Sequence, residues 1–133
     1  MSRFAEANGF AHSDVRRTPA RPIDMMHLAK QALGDPGLEL EILRAFSEST
    51  AKHFSGLENS TNLPDLLHHL HTLKGASIGV GAWSLAEHAH IMNRELKSGM
   101  RVDPELVEDI RMAVEEVQAF IAQRIAEAEA VEL

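Results

Sequence analysis

Residues 63–98 read LPDLLHHLHTLKGASIGVGAWSLAEHAHIMNRELKS, and their spacing decides the fold. Asn62 can cap a helix whose apolar side carries Leu63, Leu66, Leu67, Leu70, Leu73 and Ser77. That recurrence marks an amphipathic helix laid against a core. Gly79 and Gly81 predict its end. From about Ala82 a second helix follows, with Leu85, Ala89, Met92 and Leu96 at the spacing of a buried seam, and Ser98-Gly99 stops it. A corner this short forces the two helices to pack antiparallel.

The same grammar extends outward. Upstream, Asp24 can cap a short helix with Ile23, Met26, Ala29 and Leu33 facing inward, ending at Gly34. Asp35-Pro36 pairs an N-cap with proline at the first helical position, where its missing N–H costs nothing. The helix it opens runs to about Phe54–Leu57, with Leu38, Ile42, Phe46 and Ser49 on one stripe, and residues 58–62 form a polar connection. Downstream, Asp103-Pro104 repeats that start, and Val107, Ile110, Val114, Val117, Ile121 and Ile125 keep an almost unbroken helical rhythm. The expected fold is all-α: an antiparallel up-down four-helix bundle with a short extra N-terminal helix, spanning residues 23–133. Residues 1–22 show no sustained period and end in a segment broken by Pro19 and Pro22, so a mobile N-terminal tail is expected.

Composition narrows the function classes. The 133 residues suit one domain with a single core. No cysteine is present, which excludes disulfides and thiolate metal sites and fits a cytoplasmic setting. No apolar run approaches the roughly 20 residues of a membrane span. The net charge of −7 is unevenly spread: residues 1–22 carry four arginines against Glu6 and Asp14, and the rest of the chain is strongly acidic. An acidic body argues against nucleic-acid binding, which rests on phosphate contacts.

The chemistry concentrates at His71-Thr72-Leu73-Lys74-Gly75. At about 100° per residue, His71 falls at the margin where core meets solvent. His68, Lys74, Gly75 and Ile78 lie within one turn on the same side. A mid-helix glycine costs up to ~1 kcal/mol relative to alanine; four residues after an imidazole, it removes the side chain that would shade the ring. Lys74 brings a cation within reach of anything anionic on that ring. Neutral imidazole is a nucleophile near pH 7, and phosphoryl transfer asks chiefly for positioning and charge stabilisation. The residues alone also allow a plainer reading, with His71 a half-buried boundary histidine and Gly75 a helix-packing contact.

The run from His71 to Ala82 resembles the signature of the histidine-phosphotransfer (HPt) family: His-x-Leu-Lys-Gly, two small residues, then Val80-Gly81-Ala82 after two variable positions. The resemblance extends from about Ile23 to Gly99; residues 1–22 have no counterpart. It implies a phosphoryl carrier without turnover of its own, in which His71 is phosphorylated, Lys74 assists the phosphoryl oxygens and Gly75 clears the approach of a partner. Where several members have a glutamine that holds the imidazole, this chain has Asn93, one methylene shorter. Lys97 falls where some members place a second basic side chain. The implied partners are receiver domains of response regulators or hybrid histidine kinases, met by a monomer, with the surface around His71, including His68 and Ile78, as the docking face. No cofactor is expected on this chain; Mg²⁺ is expected on the receiver partner. The alternative is an HPt-like module that docks partners without carrying phosphate.

The remaining histidines raise a metal-site question. Among His68, His69, His71, His88 and His90, only His68 and His71 are helically spaced, while His88 and His90 point about 160° apart. Glu-x-x-His spacing occurs once, from Glu87 to His90, whereas a di-iron site of the bundle kind needs two such pairs. No metal site is expected; His69 and His88 read as solvated positions, His90 as a helix-surface or boundary residue, Met25 and Met26 as core filling, and Trp83 as packing under the end of the third helix.

Overall fold

The structure, a computed structural model, describes residues 21–132. The tail expected over residues 1–22 therefore lies outside the described residues except for its last two. Five helices follow in order: α1 Met25–Gln31, α2 Pro36–Asn59, α3 Leu63–Val80, α4 Trp83–Lys97 and α5 Pro104–Glu132. No strand occurs among the described residues. Helices α2 to α5 each pack on two neighbours, α2 against α3 and α5, α4 against α3 and α5, closing a four-helix ring. Helix α1 caps one end through α2 and α3.

Local chemistry sets the helix starts. Asp24 accepts from the His27 N–H, Asp35 from those of Gly37 and Leu38, Asn62 from that of Asp65, and Asp103 from that of Glu105. Each satisfies donors that the first helical turn leaves without partners. At the other end of α3, Gly81 takes the left-handed conformation at φ 87°. A side chain there would press on Asp24 as well as strain the backbone. Gly79 lies inside the helix; Gly81 alone ends it.

The core runs through Leu43, Phe46, Phe54 and Leu57 of α2, Leu70 and Leu73 of α3, Leu85, Ala89, Met92 and Leu96 of α4, and Ile110, Val114, Val117 and Ile121 of α5. The seam read for α4 is buried throughout. On α2 the stripe is turned by one position: Leu43 and Thr50 are buried, whereas Ile42 and Ser49 are only partly covered. Thr50 compensates its buried hydroxyl by donating to the Ser47 carbonyl at 2.9 Å. On α3, Leu63 is exposed, because the first turn projects past the core.

Helix α1 departs most from expectation. Ile23, Leu28 and Ala32 are buried, while Met26 and Leu33 are 76% and 88% exposed. Leu33 has φ 54°, so the helix has already ended and its side chain swings outward. Met25 packs on the core; Met26 does not. The helix is held by a clasp across the α3–α4 corner. The Asp24 N–H donates to the Gly81 carbonyl at 2.9 Å, and the Trp83 indole N–H donates to Asp24 Oδ2 at 3.1 Å. Burial works to raise the Asp24 pKa, but the Trp83 hydrogen bond and the His27 and Met26 N–H groups outweigh it and hold the carboxyl below its usual value. His27 lies edge-on to Trp83, their ring centres 4.9 Å apart. Trp83 thus packs against His27 of α1, and its polar edge anchors that helix.

Candidate functional site

Helix α3 presents two flanks with different surroundings. On the outer flank His71 is exposed, four residues before Gly75. A Cβ built on Gly75 would meet nothing within 4 Å, and the same is true of Gly79 one turn on. A strip bare of side chains therefore runs along α3 from His71 toward its C-terminus. His68, one turn back, is exposed, and Ile78 is half-buried beside the strip. Gly75 is therefore no packing contact; the space beside it is open.

Lys74 lies half-buried between this flank and α4. Burial and the neighbouring charge of Lys97 both lower its pKa. Lys97 is exposed at the last position of α4, so two ammonium groups from adjacent helices converge near the strip. His90, half-buried on α4, has its pKa lowered by burial first, then by Lys74 and Arg94. The helix pattern of α4 placed His90 only at a surface or boundary. Its adjacency to Lys74 comes from the α3–α4 packing, which no single-helix pattern contains. In a chain of net charge −7 this corner is locally basic. Asn93 sits half-buried on α4, and no hydrogen bond joins its side chain to His71 among the described residues.

The inner flank of α3 carries His69, which is not the solvated residue its position suggested. Its ring fills the space over Gly56 of α2, where any added Cβ would overlap it. Its Nδ1 lies 3.0 Å from Nδ1 of His53, also on α2. Burial, then His69, Lys52 and His68 lower the His53 pKa. No pattern within α2 singles out His53, because its partner lies 16 residues away on another helix. His88 is likewise half-buried, its Nδ1 enclosed without a hydrogen-bond partner among the described residues.

A model of the Hpt domain matches residues 41–120, more than half of the chain. The chain belongs to the Hpt domain family. The match enters at α2 and runs well into α5, past the Gly99 limit of the resemblance read from sequence. Neither the curated proteins nor the solved structures searched contain a match. Hpt domains are histidine-phosphotransfer modules of two-component phosphorelays, carriers rather than catalysts, and they interact with receiver domains. Among the described residues no helix is long and apolar enough to cross a membrane.

Proposed function

We propose that this Hpt domain is a phosphorelay intermediate in which His71 takes a phosphoryl group from the phospho-aspartate of one receiver domain and passes it to the aspartate of another. The observation that carries this reading is the exposed His71 imidazole beside the open ground at Gly75. A donor that must reach phosphorus in line with the imidazole needs that clearance.

In the transfer, the unprotonated ring nitrogen of His71 attacks phosphorus. The bond from phosphorus to the aspartate oxygen breaks, and the carboxylate leaves with the electron pair. The reverse step delivers the group to a second aspartate. Lys74 supplies a charge-assisted contact to the phosphoryl oxygens, with Lys97 as a second positive charge. Asn93 supports the imidazole or the phosphoryl group through water. Gly75, His68, Ile78 and α2 side chains form the docking face, an apolar patch rimmed by polar groups as transient contacts use. The step takes no cofactor on this chain; Mg²⁺ and the aspartate belong to the receiver. The domain acts as a cytoplasmic monomer and has no turnover of its own.

Incubation with a phosphorylated receiver and Mg²⁺ tests this. Label should appear on wild type, be acid-labile and alkali-stable as a phosphoramidate is, and vanish in His71→Gln. A folded His71→Gln that labels as well as wild type would refute it. Receiver binding with no labelling of wild type would make the chain a docking module instead.

A further inference from the structure

We propose that His53 and His69 form a two-ligand site for a borderline divalent transition cation such as Zn²⁺, Ni²⁺ or Cu²⁺, bound through their Nδ1 atoms between α2 and α3. The geometry is the first support. The two Nδ1 atoms stand 3.0 Å apart. A cation about 1.5 Å off their midpoint would lie about 2.1 Å from each, the usual metal–imidazole distance, with the nitrogens about 90° apart as neighbouring ligands. Side-chain hydrogen bonding alone asks for no more than one proton between these atoms. Releasing the pair to a cation requires that this proton move to the ring's other nitrogen, the tautomer in which Nδ1 keeps its lone pair, and that the rings turn those lone pairs off the N–N line toward the cation.

The second support is that the site is built. The His69 ring occupies the space that Gly56 leaves on α2, where any larger residue would displace it. The neighbouring helix thus limits where the ring can go, and orientation of a ligating imidazole is a large part of metal affinity. The third is donor chemistry. His68 lies close by, its ring centre 6.0 Å from His53 and 5.4 Å from His69, making a purely imidazole neighbourhood. Imidazole selects zinc, nickel or copper over magnesium or calcium, which want oxygen. Among the described residues no group of three or more His, Asp or Glu side chains is arranged to hold a metal. The site is therefore a pair, with water completing the shell. Lys52 is the adverse charge nearby, and its exposure lets solvent screen it. The pair lies about 160° around α3 from His71, so a bound cation braces α2 to α3 away from the phosphorylated ring, with His68 between the two.

The test is calorimetric titration of the untagged full chain with ZnCl₂ and with NiCl₂, followed by thermal melts with and without metal. One cation should bind per chain and raise the melting midpoint, and MgCl₂ should do neither. His53→Gln and His69→Gln should each weaken binding more than about tenfold, equivalent to ~1.4 kcal/mol, and abolish the midpoint shift. His68→Gln and His71→Gln should keep both. Gly56→Ala, which leaves all imidazoles in place but displaces the His69 ring, should also weaken binding. Absence of saturable binding to wild type would overturn the proposal. So would binding that survives both His53→Gln and His69→Gln, or that is lost in His68→Gln alone.

Discussion

His69 and His71 stand two residues apart on one helix, each near a glycine, and the two glycines have opposite uses. Gly75 belongs to the same helix as His71 and leaves a gap that nothing in the described chain fills. Gly56 belongs to the neighbouring helix and leaves a gap that the His69 ring fills. One absence of a side chain is turned outward, the other inward. Counting glycines or histidines along the sequence cannot separate these cases, because what differs is the occupant of the space.

The largest effect should come from removing the imidazole that faces the open gap. His71→Gln should abolish phosphoryl labelling, while His69→Gln and His68→Gln leave it within a few-fold of wild type. Labelling that followed His69 or His68 instead would reverse the assignment of the two flanks. Next comes the charge beside the open side. Lys74→Ala should keep the fold and slow phosphorylation or shorten the phosphohistidine lifetime roughly tenfold or more, the worth of one charge-assisted contact. Asn93→Ala should act in the same direction and less. An unchanged lifetime in Lys74→Ala would remove it from the phosphoryl contacts.

The glycines themselves allow a matched measurement. Alanine gains the same helix propensity at either position, so that gain cancels in the difference between Gly75→Ala and Gly56→Ala. The Gly75 variant should be the more stable by about 1–2 kcal/mol, since only at Gly56 must a packed ring and its hydrogen bond give way. Chemical denaturation of both variants measures it. Adding His69→Ala to Gly56→Ala should recover much of the difference, a coupling that a double-mutant cycle reads directly. Equal stabilities would mean that His69 leaves its place at no cost. A longer side chain, Gly75→Gln, should leave stability at least as high as wild type and slow transfer.

The smallest effect concerns pH on the basic side. The His90 pKa is lowered in the folded chain, by burial before Lys74 and Arg94. The unfolded chain therefore takes up a proton at His90 more readily than the folded one. Its contribution to stability is complete above the unfolded value of about 6.5 and is lost as pH falls from there toward the lowered folded value. Melts of wild type and His90→Gln across pH 7.5 to 5 should show a slightly shallower decline in the variant. Identical slopes would mean that His90 titrates alike in both states.

Much of this was legible in the sequence because helices announce themselves locally. Asp24, Asp35, Asn62 and Asp103 cap where their spacing to the following turn says they must, and the α4 seam from Leu85 to Leu96 is buried as its period requires. What escaped was relational. Helix α1 is seven residues long, too short for a period to fix its inner face, and the turn outward at Leu33 is a backbone event that its side chain does not signal. The rotation of α2 by one position depends on what α3 and α5 present to it. The pairing of His53 with His69 and the approach of His90 to Lys74 depend on the register of two helices, which neither helix encodes alone. At His71 the motif carried the family and the helix boundary, and the openness at Gly75 had to be seen in three dimensions.

The Asp24–Trp83 clasp has a spectroscopic consequence. Trp83 is the chain's single tryptophan, and its indole N–H is committed to the residue that caps α1. Intrinsic emission from this protein therefore reports on the attachment of one short terminal helix. Helix α1 is seven residues long and packs on the bundle over a small area, against α2, α3 and, through His27, Trp83 of α4, which makes it a candidate for opening below the free energy of global unfolding. A fluorescence transition that precedes the loss of far-ultraviolet helical signal would register that opening, and its midpoint would be a private observable of the corner where α3 turns into α4.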